Sequence, residues 1–163
     1  MKRLSLLALA LFLLVGASPQ KQEPPVEIRS MRLDADYGKG VLVFSGAVNL
    51  KKGEFFLQSD KLTVYLKTAN GTNEVDWAEA TGEVHMSYGQ KRARCGRAVY
   101  YAQEEKVLLE EDPIMWEGDN RLRGKRITIF LKEERAIVES GPGKPVELTV
   151  VEKGDGKGLL PRP

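Results

Sequence analysis

The chain of 163 residues lacks much of what catalysts and small secreted scaffolds rely on. It has one cysteine, Cys95, so no disulfide can close within it, and in an oxidising compartment stability has to come from sheet and core. It has one histidine, His85, so there is no histidine metal cluster, and a Ser-His-Asp triad finds no partners at motif spacing. It has almost no excess charge. The formal +2 comes from 25 basic and 23 acidic residues, and setting aside Lys2 and Arg3 leaves 23 of each. A neutral domain argues against nucleic acid as a partner, so any electrostatic recognition has to come from local patches. From Val41 to Glu139 no stretch shows a convincing helical period.

What is present begins with a leader. Lys2-Arg3 is followed by an apolar run, Leu4 to Val15, and by the small residues Gly16-Ala17. That order reads as a secretory signal peptide over residues 1–17, too short for a comfortable membrane span. The alternative is an uncleaved anchor. No cysteine follows the run, which argues against a lipoprotein. Residues 18–25 read as a flexible lead, 26–151 as one domain, and 152–163, rich in Gly, Lys and Pro, as a disordered tail.

The domain repeats itself. With Gly53, Gly89 and Gly118 in register, each is followed by a polar turn and two strand-like runs. The second runs are Lys61-Leu62-Thr63-Val64-Tyr65, Arg97-Ala98-Val99-Tyr100-Tyr101 and Arg126-Ile127-Thr128-Ile129-Phe130. Before each glycine lies another matched run: Val48-Asn49-Leu50, Val84-His85-Met86 and Ile114-Met115-Trp116. Self-similarity at such a period means a repeat architecture. The longer first interval is explained by a polar insertion, residues 67–73, expected at a loop. Ala78, Ala80, Gly82, Val84, Met86 and Tyr88 alternate with Glu79, Thr81, Glu83, His85 and Ser87, the signature of a half-buried strand. Glycines 46, 82 and 96 and the pair Asp112-Pro113 interrupt continuous strands, which suggests bends rather than ends.

Each copy is therefore one strand out and one back, each folded near its middle. Val26 to Ala35 reads as a first strand. Ile137-Val138-Glu139 and Pro145 to Leu148 start a fourth copy. The predicted fold is all-β: a folded antiparallel repeat sheet with an open apolar groove. The groove-lining columns are Val48/Val84/Ile114, Leu50/Met86/Trp116, Leu57/Ala93/Leu122 and Leu62/Ala98/Ile127, with Phe44, Val64, Tyr100 and Ile129 beside them. An apolar channel open at its ends can hold acyl chains; an ordinary sandwich core is the alternative.

The remaining candidates divide. His85 falls on the outward face and reads as an exposed strand residue. Cys95 aligns with Ser59 and Gly124, so it reads as a small, partly buried thiol rather than a nucleophile. The acidic pairs Glu104-Glu105, Glu110-Glu111 and Glu133-Glu134 read as solvated charge. Two basic runs recur one copy apart, and stacked strands would set Arg92 near Arg121 and Arg94 near Arg123. Like charges opposite one another destabilise a sheet unless something neutralises them. Either nearby acids do so (Glu117, Asp119, Glu104), or an anionic head group or partner passes there.

Four stretches together resemble the LptA/OstA family of lipopolysaccharide transport proteins. They are residues 41–48 (VLVFSGAV), 59–65 (SDKLTVY), 80–84 (ATGEV) and 118–127 (GDNRLRGKRI). The resemblance runs from about Ile28 to Glu139. It implies an OstA-like β-jellyroll in the periplasm, without enzymatic activity, cofactor or metal. It implies lipopolysaccharide as cargo, with lipid A chains in the groove, and head-to-tail homo-oligomers. These would bridge LptC-like jellyroll domains at the inner membrane and LptD-like ones at the outer membrane. The cleavable-looking leader favours an LptA-type carrier over an anchored LptC-type component. A structural β-repeat assembly module is the other alternative.

Overall fold

The computed structural model describes residues 22–151. The leader, the first half of the flexible lead and the proposed tail lie outside the described residues. Alternation and turns become twelve strands: β1 (Val26–Arg29), β2 (Arg32–Asp36), β3 (Val41–Lys52), β4 (Phe55–Ala69), β5 (Thr72–Tyr88), β6 (Lys91–Tyr101), β7 (Lys106–Glu110), β8 (Ile114–Glu117), β9 (Asn120–Arg123), β10 (Arg126–Phe130), β11 (Arg135–Glu139) and β12 (Glu147–Thr149). All join one antiparallel sheet.

The sheet is folded along a line that every strand crosses. β3, β4, β5 and β6 pass through the bend with a register shift there. Elsewhere the bend interrupts the strand, so that β2 with β1, β7 with β8, β10 with β9 and β11 with β12 are the two limbs of single bent strands. One wing holds β2, residues 41–45, 61–69, 72–81 and 97–101, β7, β10 and β11. The second wing holds β1, residues 48–52, 55–59, 84–88 and 91–95, β8, β9 and β12.

The corner has a local cause. Gly46 and Ala47 have φ of 79° and 46°, Gly82 and Glu83 have 77° and 46°, and Glu111 and Asp112 have 62° and 57°. Two successive left-handed residues bulge one strand against its partner and turn it. The third copy makes the same turn without glycine, followed by Pro113. Backbone bonds close the corner: Met31 N–H to the Gly46 carbonyl (2.9 Å), Gly96 to Glu111 (2.9 Å) and Lys125 to Glu139 (2.8 Å).

The wings face each other across one apolar cluster. Val48, Leu57, Val84, Ala93 and Cys95 come from the second wing, and Leu62, Val64, Ala80, Ala98, Leu109 and Ile127 from the first. Leu109, Ile127 and Val84 are fully buried. Burying side chains of this size stabilises by about 1.5–3 kcal/mol each before entropy is charged.

Two sequence expectations are corrected. The single first strand is two, broken at Ser30-Met31, because it too must cross the corner, where Met31 lies over Gly46. The insertion at 67–73 is not a loop. It extends the β4–β5 hairpin, with Lys67, Thr68 and Ala69 paired to Glu74, Asn73 and Thr72 around an Asn70-Gly71 turn.

Candidate functional site

The inner face of the second wing is one apolar row from edge to edge. Cross-strand register links Ile28, Leu50, Leu57, Met86, Ala93, Met115, Leu122 and Leu148 in that order. On the first wing Phe44, Leu62, Ala80, Ala98, Leu109 and Ile127 form a second row, and Leu42, Val64, Ala78, Tyr100, Val107 and Ile129 a third. Next to the corner these rows are sealed: Val48, Leu62, Ala80, Val84, Leu109 and Ile127 each keep 3% exposure or less. Away from it Leu50, Met86, Met115, Leu122, Tyr100 and Ile129 are half-buried. The inner face is thus a dry seam that opens toward the turns.

Fourteen of the expected groove residues lie on these inner rows or, like Val48 and Val84, in the core cluster beside them. Ile114 and Trp116 do not. They pair with Arg94 and Arg92, so they face the other way, and Met115 takes the inner position with Ala93 and Leu122. The slip is one of alignment by a single residue, because the third corner repeats the other two. Three residues, Glu111 to Pro113, oppose Cys95 and Gly96 there, and buried Pro113 fills the place held by Val48 and Val84. The glycine register carries this signal. Counting back from Gly118 as from Gly53 and Gly89 aligns Pro113 and Met115, but isoleucine and tryptophan are the more apolar residues of that run.

The outer face of the second wing carries two mixed rows. One reads Glu27, Lys51, Phe56, Ser87, Arg92, Trp116, Arg121, Thr149; the other Arg29, Asn49, Gln58, His85, Arg94, Ile114, Arg123, Glu147. Arg92 and Arg121 are therefore not adjacent, since Trp116 stands between them, as Ile114 stands between Arg94 and Arg123. All four arginines are exposed, on the side opposite the apolar seam. A concave cleft of about 750 Å³ is lined by Glu27, Arg29, Asn49, Lys51, Phe56, Gln58, His85, Ser87, Arg92 and Trp116 of this face, with Leu50, Leu57, Met86 and Ala93 of the intervening apolar row also contributing to its lining. Gln58 donates to Asn49 Oδ1 at 3.0 Å. Arg94 and Arg123 line a smaller hollow of about 320 Å³ with Lys144, Asp112 and Glu147.

On the first wing the outer arginines are paired. Arg97 bonds Glu79 (Nε to Oε2, 2.8 Å) and Glu110, and Arg126 bonds Glu110 Oε1 at 3.0 Å and lies 3.7 Å from Glu139. Burial would raise the Glu110 carboxyl, but hydrogen bonds from Arg97 and Arg126 outweigh it and hold it below its ordinary range. The Cys95 thiol is buried, which pushes its pKa up to about 11, with Glu111 adding to the rise; at neutral pH it is an inert thiol. Among the described residues no cluster of metal-ligating side chains occurs.

Residues 27–135 match the model of the family described as LptA/(LptD N-terminal domain) LPS transport protein. A protein of Rhizobium meliloti (strain 1021), described as uncharacterized, is 21% identical over 128 residues, covering 75% of this chain and 69% of its relative. The crystal structure of LptH from Pseudomonas aeruginosa superposes with a TM-score of 0.70 at 13% identity, over 79% of this chain and 96% of that one. That protein is described as the LptA homologous periplasmic component of the conserved lipopolysaccharide transport device. At this identity the likeness is one of fold.

Proposed function

Because the chain belongs to the family of LPS transport proteins that includes LptA and the LptD N-terminal domain, we propose that it is a periplasmic carrier that shields lipopolysaccharide acyl chains along the inner face of its folded sheet. The observation that carries this reading is the row from Ile28 to Leu148, apolar at every position and reaching both edges. A twelve-carbon acyl chain left in water costs on the order of 10 kcal/mol at about 0.8 kcal/mol per methylene. An apolar face offsets that cost by burial alone, so the role is transport without chemistry. Because the row ends at the open edge strands, copies joined edge to edge continue it. Such a bridge runs between LptC-like and LptD-like jellyroll domains at the two membranes.

The test uses the half-open part of the seam, since Val84 at the sealed corner has no room for a probe. A photo-crosslinking side chain at Met86, on the inner face, should yield lipopolysaccharide adducts. The same side chain at its outward neighbour His85 should yield few. Equal labelling at both positions would remove the acyl-face assignment. The sealed corner favours a second reading, a structural repeat with a dry core, and the absence of adducts at Met86, Met115 and Leu122 alike would support that reading.

A further inference from the structure

The outer face of the second wing carries charge that its own surface does not balance. Its two rows hold six basic side chains and two acidic ones, Glu27 and Glu147, and both acids stand on edge strands. The strands between contribute Lys51, Arg92, Arg94, Arg121 and Arg123 and no carboxylate. Among the described residues none of these five forms an ion pair, whereas Arg97 and Arg126 on the other wing are both held by glutamates. The chain has acids enough to balance its bases; they lie elsewhere. Uncompensated like charge across neighbouring strands weakens a sheet.

We infer that this face binds an acidic saccharide, a sugar bearing phosphate or carboxylate groups. The cleft of about 750 Å³ is of ligand size. Its aromatic walls, Phe56 and Trp116, stand on strands three spacings apart, about 14 Å at roughly 4.8 Å per strand. Trp116 offers a flat apolar surface to the C–H face of a sugar ring and is flanked in register by Arg92 and Arg121. A guanidinium binds phosphate or carboxylate through two parallel hydrogen bonds. Between the walls, Gln58, His85 and Ser87 supply donors and acceptors for ring hydroxyls. The mixture suits a sugar better than an acyl chain, because ten of the cleft's fourteen lining residues belong to the two mixed rows and only Leu50, Leu57, Met86 and Ala93 to the apolar one. The site's arginines and Trp116 point across the sheet from the acyl seam, so their role stands whether or not that seam takes lipid.

The test uses the Trp77→Phe protein, in which Trp116 is the remaining tryptophan and serves as reporter. The probe is the phosphorylated oligosaccharide left after complete de-acylation of lipopolysaccharide. A saturable change in Trp116 fluorescence is expected, weakened about tenfold or more by Arg92→Gln with Arg121→Gln. On the unsubstituted arginines, binding should also weaken as ionic strength rises from about 0.01 to about 0.15 M, where the Debye length falls from about 30 to about 8 Å. That titration decides the matter if the double variant does not fold. Intact lipopolysaccharide distinguishes the two sources of such a sugar. If the double variant also binds it less tightly, the ligand is the cargo's own sugars; if its affinity is unchanged, the ligand is a separate acidic glycan. The inference is overturned if neutral dextran gives the same response. It is equally overturned if the folded double variant binds the probe unweakened, or if polyglutamate binds and the saccharide does not.

Discussion

Glu110 shows how a single carboxylate stabilises this sheet. It accepts from arginines on two neighbouring strands, and its side chain is 23% exposed. Its folded pKa lies below the ordinary value of 4.5, so its contribution is fully present above that value and is lost as pH falls through the lowered one. Glu110→Gln should therefore cost about 1–2 kcal/mol at pH 7, since the pair is partly solvated. The gap in urea midpoint between the two proteins should narrow below about pH 4.5. A gap that stays constant down to pH 3 (about one and a half units lower) would mean that the carboxylate's charge is not what matters.

At the scale of the strand, the corner is the feature that distinguishes this sheet from a flat one. Gly82, at φ 77°, turns β5, and a Cβ there would collide with the Asp60 side chain on β4. Gly89, at φ 58°, turns the β5–β6 hairpin with nothing within 4 Å of where a Cβ would sit. Gly89→Ala should then cost only the left-handed strain, about 1–2 kcal/mol. Gly82→Ala adds displacement of Asp60 and should cost clearly more, read as a larger fall in melting temperature of roughly 2–4 °C for each further kcal/mol. Equal losses at the two positions would show that Asp60 yields freely and that the corner does not depend on close packing.

For the molecule as a whole, the edges decide what it can join. β1 and β2 form one edge and β11 and β12 the other; apart from Ile28, Ala35 and Val138 their residues are exposed. Unpaired edge strands invite further strands. The two edges differ, so pairing of one with the other would be head-to-tail and would give open chains rather than closed dimers. Sedimentation velocity over a concentration series should reveal species that grow with concentration and collapse to monomer when residues 146–163 are removed. One monomer peak at high concentration from the full chain would leave the bridge without a joint.

Period two, the turn glycines and the repeat are properties of neighbouring residues, and the sequence by itself determined them: an all-β chain of bent strands, its hairpin turns, and an inner face holding Leu50, Leu57, Met86 and Leu122. Side-chain direction in a strand depends only on parity, so one correctly set residue orients its whole limb. What the tertiary structure decided depends on the corner and on partners distant in sequence. At the third corner Glu111 and Asp112 form the left-handed pair and Pro113 stands where Val48 and Val84 stand, so β8 keeps the parity of the other copies, with Met115 inward and Trp116 outward. Arg97 and Arg126 find glutamates because Glu110 and Glu139 share their row across the sheet and Glu79 lies diagonally across from Arg97, while Arg92 and Arg121 share theirs with Trp116. Which rows are sealed and which stay half-open is fixed by how closely the two wings approach. That approach is set by cross-strand register and by the volume of facing side chains, neither of which a single strand contains.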